Sequence, residues 1–260
     1  MITIDALPLL IFFRKRLSRI LISICLCFST ISGALAEDKD ELVLRYNLIG
    51  SESWTSYGYL GDDTRPGAFA EIMELILKRS EISYKFFYYP PKRASKEFEQ
   101  GELDIDFMSP SWFKDKNMGE EFVHSDKIFE LTEYVVTLQK NAKKYQDPKQ
   151  IYGKRIGTVA GYSYHDDDKF TRVDFSSESA LVKGLKKGRF EAVILEELTA
   201  KHWAKEHKAN IALASVHTHG DIVLRLRAQL KHLLPTLNAA IAALESEGEI
   251  DKILKDYNIR

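Results

Sequence analysis

The chain has 260 residues with 37 basic against 38 acidic side chains, a formal net charge of −1. This balance excludes the basic surface that nucleic acid or an anionic membrane demands. Residues 1–36 hold four of the basic residues and one acidic residue, so a chain starting at Glu37 carries 33 against 37, a net of −4. Both cysteines, Cys25 and Cys27, also lie in that leading segment. The remainder therefore has no disulfide, no thiolate nucleophile and no cysteine metal site.

The leading segment reads as a signal peptide. Arg14, Lys15, Arg16 and Arg19 form a basic start, Ile20–Ile31 an apolar run, and Ala34-Leu35-Ala36 an A-x-A cleavage pattern before the charged Glu37-Asp38-Lys39. The apolar run is well short of the roughly 20 residues that cross a bilayer. Residues 1–36 are thus expected to be removed, leaving a periplasmic protein with no membrane insertion after cleavage. Cys25 as a lipoprotein cysteine fits less well, because Ile24 stands where a small residue belongs.

In chain order, Leu42–Tyr46 is an apolar strand. Phe69, Ile72, Met73, Ile76 and Leu77 then recur at helical spacing. Ile82–Tyr89, rich in aromatics, is a strand stopped by Pro90-Pro91, and Lys92–Gln100 is a helix closed by Gly101. Leu103–Met108 is the next strand. After the polar stretch Lys140–Lys149 the pattern repeats. Lys154–Val159 is a strand, Ser177 caps a helix that runs to Gly188, Ala192–Leu195 is a strand, and a helix passes through Leu198, His202 and Trp203. Ile211–Ala214 leads to a separate strand at Gly220–Leu224. Leu230 to Leu244 then share a helical face that Pro235 either kinks or delays, and Glu249–Tyr257 is a last helix.

Alternating strands and helices of this kind give two open α/β sheets covered by helices. Ligands bind such sheets beyond the carboxyl ends of their strands, here just after Tyr46, Met108, Val159 and Leu195. Two segments, His165-Asp166-Asp167-Asp168 and His217-Thr218-His219, carry residue types suited to metals. Charge runs are usually solvated, however, and nothing in the sequence pairs the two segments, so no metal or other cofactor is expected. Asp104 and Asp106 share one face of a strand and read as a lobe-edge feature.

Five short motifs occur in a familiar order. They are Gly67-Ala68-Phe69-Ala70-Glu71-Ile72, Gly101-Glu102-Leu103-Asp104-Ile105, His124-Ser125-Asp126, Ile151 through Gly161, and Leu185-Lys186-Lys187-Gly188-Arg189-Phe190-Glu191-Ala192-Val193. On them the chain, over Glu41–Ile259, resembles the periplasmic solute-binding proteins of the polar amino-acid type, extracellular solute-binding family 3. The resemblance implies a two-lobed, type II Venus-flytrap with a cleft between two open sheets. Lobe one would comprise 41–138 with 221–260 and lobe two 139–220, hinged near Thr137–Lys140 and His219–Ile222.

The resemblance also nominates ligand-binding residues. Tyr57, with Trp54 beside it, falls where the family places a stacking aromatic. Ser109, Ser111 and Trp112 replace the family's hydroxyl-rich segment. Lys116 falls where a carboxylate-binding arginine belongs, although a lysine cannot make the bidentate fork. Gly161, Tyr162 and Ser163 stand at an implied helix start whose N–H groups attract anions. Glu196 aligns with the ammonium-binding acid. The implied function is capture of a small polar, amino-acid-like solute for an ABC transporter permease or a sensor, by a monomer without catalytic residues. Two alternatives stay open from sequence. One is an enzyme on this scaffold resembling cyclohexadienyl dehydratases, with Glu196 as the acid. The other is an interaction module without a ligand.

Overall fold

The structure, a computed structural model, describes residues 42–48, 54–57 and 66–260. The segment read as a signal peptide lies outside them. Strand β1 (Val43–Asn47) runs parallel to β2 (Ser83–Phe87) and β3 (Ile105–Met108). β3 and the short β4 (Phe122–His124) pair antiparallel with the C-terminal end of β9 (Ile211–Arg227). From Ile211 to Ile222 the same β9 pairs with β5 (Phe129–Leu138). β5 continues to β8 (Ala192–Glu196), then β6 (Arg155–Val159) and β7 (Thr171–Phe175). One strand of 17 residues thus serves two sheets, and each sheet carries a lobe.

The first lobe is built on helix α1 (Ala68–Arg79), whose Phe69, Ile72, Met73, Ile76 and Leu77 are all buried, as their spacing predicts. They meet Leu44 of β1, Leu224 and Leu226 of β9, and Leu237, Ile241 and Leu244 of α5 (Leu234–Ser246). Each fully buried Leu or Ile contributes about 1.5–3 kcal/mol. Helix α2 (Pro91–Gln100) starts on Pro91 and ends at Gly101, whose φ of 85° closes the last turn in the left-handed region. Pro235 sits in the first turn of α5, where its missing N–H leaves no bond unmade, so the helix starts late and is not kinked. Helix α6 (Glu249–Asp256) ends the fold. Just beyond it, the Tyr257 hydroxyl accepts from the Gly67 N–H (3.0 Å) and donates to Glu71 Oε1 (2.6 Å).

In the second lobe, α3 (Glu178–Lys186) begins at Ser177, whose hydroxyl accepts from the Ala180 N–H. Leu181, Val182 and Leu185 pack on Val159, Val193, Leu195 and Phe190. Helix α4 (Glu197–Glu206) follows β8 without a break. Among the described residues no helix is long and apolar enough to cross a membrane.

The structure departs from the sequence reading in the strands between the lobes. β4, β5 and β7 carry no assignment from sequence, and β9 is one strand instead of two. The chain stays extended from Ile211 through Gly220-Asp221 into the strand read at Gly220–Leu224, because that strand feeds both sheets. Nor does a helix start at Gly161–Ser163. The segment is a turn and then extended, with only a three-residue 3-10 turn at Asp167–Lys169.

Candidate functional site

A cavity of about 390 Å³ lies where the lobes meet, within the size range of small-molecule sites. Its first-lobe wall is aromatic, with Trp54, Phe69, Phe98, Phe107, Trp112 and Phe122 around the pair Asp106 and Arg225. Gly161, Tyr162 and Ser163 close it from the second lobe, and Glu133 of β5 sits at the crossing between them. Of the residues nominated from sequence, Trp54, Trp112, Gly161, Tyr162 and Ser163 therefore share one cavity.

The two walls touch. Gly161 has a φ of 92°, and a Cβ added there would stand 2.6 Å from Lys92 Cα. Only glycine permits that turn to rest against the start of α2. Trp54 and Tyr162 meet across the cleft with ring centroids 6.2 Å apart, and Trp112 lies 5.7 Å from Trp54 on the other side. Lys114 approaches Asp168 across the gap at 3.9 Å, an exposed pair of small energetic weight. These contacts define a closed cleft.

Four nominated residues and Glu196 are placed elsewhere. Tyr57 is buried against Phe69, Phe129 and Trp54, as part of the first-lobe core. The Ser109 and Ser111 hydroxyls bond each other at 2.8 Å and press on Gly220, where an added Cβ would stand 2.5 Å from Ser111 Oγ. Lys116 is exposed with a φ of 57° and does not line the cavity. Glu196 is buried and caps α4, its two oxygens accepting from the Leu198 and Thr199 N–H groups (2.8 and 2.9 Å). Burial, with the nearby Glu196 charge, raises the Tyr57 hydroxyl well above its ordinary value.

Five charged residues that the sequence did not nominate line the cleft: Glu99 and Glu121 at its exposed edge, and three deeper groups. Arg225 points its Nε and one Nη at Asp106 (3.1 and 2.6 Å), leaving the other Nη outside that pair. The guanidinium lies over the adjoining Phe98 and Phe122 rings, 4.3 and 4.8 Å from their centroids. An arginine does face the cavity, then, but from β9 and not from the position of Lys116. Asp106 lies on β3, two residues before the strand end at Met108 where the sequence looked. Burial raises its carboxyl above the ordinary range against the pull of Arg225.

Glu133 is the third. β5 sets it opposite Glu196 on β8 and Thr218 on β9, and the Thr218 hydroxyl donates to it at 2.9 Å. Burial pushes its carboxyl up to about 7, with the charges of Glu196 and Glu178 adding to the rise and His217 opposing it. Glu178, also buried, accepts from the Tyr162 hydroxyl at 2.8 Å. A second, water-sized cavity is lined by Glu133, Glu178 and Glu196 together with Trp54 and Tyr162. Three carboxylates behind two aromatic rings form a cation-seeking arrangement.

The two segments left unpaired by the sequence do come together. Asp166 Oδ1 lies 3.0 Å from His217 Nε2 and 3.9 Å from His165 Nδ1.

This architecture is the two-lobed fold of the periplasmic binding proteins. No family model matches the chain. The arginine-binding extracellular protein ArtP of Bacillus subtilis (strain 168) is 21% identical over 264 residues, covering 94% of this chain and 98% of that protein. Among solved structures, a mutant of ArgBP from T. maritima superposes with a TM-score of 0.67 at 17% identity, over 86% of this chain and 98% of the other. AbpA of Streptococcus pneumoniae, an amino acid ABC transporter substrate-binding protein bound to L-arginine, gives 0.64 at 18% identity, over 85% and 95%.

Proposed function

We propose that this chain is an exported solute-binding protein. It captures a small, amino-acid-like solute with a cationic end between its lobes and delivers it to an ABC importer or a sensor. The observation that carries this reading is the cleft itself: a cavity walled by both lobes, aromatic on one side and backed by Glu133, Glu178 and Glu196 on the other. A solute touching both walls stabilises the closed form because only that form offers all the contacts. The aromatic faces of Trp54, Trp112 and Tyr162 suit a guanidinium or ammonium group, and the carboxylates supply its counter-charge. The free Nη of Arg225 is the group best placed to meet a ligand carboxylate. The similarity to arginine-binding proteins points the same way.

The test is a thermal-shift screen of residues 37–260 against cationic, neutral and acidic amino acids, polyamines and opines. A ligand at 100 times its Kd adds about 2.7 kcal/mol of stability. Stabilisation is expected from cationic solutes and not from acidic ones. A panel in which only acidic solutes register, or none does, overturns the reading.

A further inference from the structure

We propose that His165, Asp166 and His217 form a binding site for a divalent transition metal, with zinc as its natural probe. One ligand atom from each residue lies within 4.8 Å of the other two. Asp166 Oδ1 is the shared centre of the set, 3.0 Å from His217 Nε2 and 3.9 Å from His165 Nδ1, with the two imidazole centroids 4.7 Å apart. Ligands held at roughly 2.0–2.2 Å around a tetrahedral zinc stand about 3.4 Å from one another, so small side-chain rotations bring this set to coordination distance. Two imidazoles and one carboxylate are the donor set of three-ligand sites that keep a position open for water or substrate.

The second observation is independent of those distances. The His217 side chain is 1% exposed and that of Asp166 7%. Among the described residues, His165 Nδ1 and His217 Nδ1 are both buried without a hydrogen-bond partner. Buried imidazole nitrogens normally find a partner, and the His165 Nδ1 orphan, 3.9 Å from Asp166 Oδ1, is accounted for if a cation completes this cluster. His217 Nδ1 is on the far side of its ring from the Nε2 that meets Asp166 and lies outside the coordination set. The ligands come from two places, the loop just after the cleft turn Gly161–Ser163 and strand β9. A bound metal would tie the cavity wall to the strand shared by both lobes, which gives the site a structural place next to the solute without occupying the solute's cavity.

The experiment is calorimetric titration of zinc into residues 37–260 carrying no histidine tag, with metal content after gel filtration measured by mass spectrometry. One zinc per chain with a Kd in the micromolar range or tighter is expected. His165→Ala, which removes a half-exposed ligand that the core does not need, should weaken binding at least tenfold, and His217→Asn should abolish it. His219→Ala, on the same His-Thr-His segment but exposed against Thr132 and Glu130, should leave binding unchanged. Circular dichroism confirms that each variant is folded. Absence of zinc binding below about 100 µM by folded wild-type chain overturns the proposal. So does equal binding in His165→Ala, or loss confined to His219→Ala. None of these readouts depends on the solute, so the proposal stands or falls apart from the solute-binding reading.

Discussion

The two walls of the cleft are charged by opposite strategies. On the first-lobe side, Arg225 is paired with Asp106 at hydrogen-bond distance over the Phe98 and Phe122 rings, so the buried charges of this aromatic wall compensate each other, with Glu99 and Glu121 exposed at its edge. At the crossing and on the second-lobe side, Glu133, Glu178 and Glu196 are buried and accept from hydroxyl and N–H groups. One wall pairs its buried charges with each other, and the other sets three carboxylates against neutral donors. Under the function proposed above, the first wall shapes the cavity and the carboxylate wall selects what enters it.

The comparison is broken most severely by Arg225→Ala. Removing one partner of a buried ion pair leaves the other uncompensated, and a loss of about 3–5 kcal/mol is expected in a urea denaturation curve. Arg225→Met with Asp106→Leu should recover much of that loss while changing ligand affinity. Equal losses in the single and double variants would show that this wall is not internally balanced.

The carboxylate wall is read by pH. The Glu133 carboxyl is raised from 4.5 to about 7 in the folded protein by burial and by Glu196 and Glu178. A raised acid favours the fold while protonated. Its contribution is complete below about pH 4.5 and is lost as pH rises through about 7, by up to roughly 3 kcal/mol. Glu133→Gln should flatten the stability profile over this window. A variant with the wild-type slope would remove Glu133 as its source.

Glu196→Gln is expected to weaken the cap of α4 by about 1 kcal/mol, because its charged acceptor is replaced by a neutral one. The same change should draw the Glu133 transition to lower pH, since a like charge is gone from the facing position. The smallest effect belongs to Lys116→Ala. Exposed and away from the cavity, it should change solute affinity not at all and stability by less than about 0.5 kcal/mol.

Much of the architecture was legible from residue spacing. The α1 face, the Ser177 cap and the Gly101 stop each follow from a local rule and recur in the structure, and of the two readings open at Pro235, a kink or a late start, α5 takes the late start. What escaped was non-local. In Phe129-Glu130-Leu131-Thr132-Glu133-Tyr134 the alternation is present, but its charged members look like a loop until β9 and β8 are laid on either side. The cavity residues show the same divide. Trp54, Trp112 and the Gly161 turn sit at strand ends where the topology points. Glu133 and Arg225 lie within crossing strands, and their proximity to the cleft depends on the register of β5 and β9. Glu196 was found at its strand end, but its carboxylate is engaged by the first turn of the helix that follows directly.

The sharing of β9 bears on how the protein is made. A chain delivered from its N-terminus presents β1, α1, β2 and β3 early, yet β3 has no antiparallel neighbour until the segment after Ile222 arrives. The Tyr257 bonds to Gly67 and Glu71 come later still. The second lobe, by contrast, is complete once Ile222 has been delivered, because its strands lie between Phe129 and that residue. The part delivered first is thus finished last, and the first lobe's apolar strands wait for the end of their own chain.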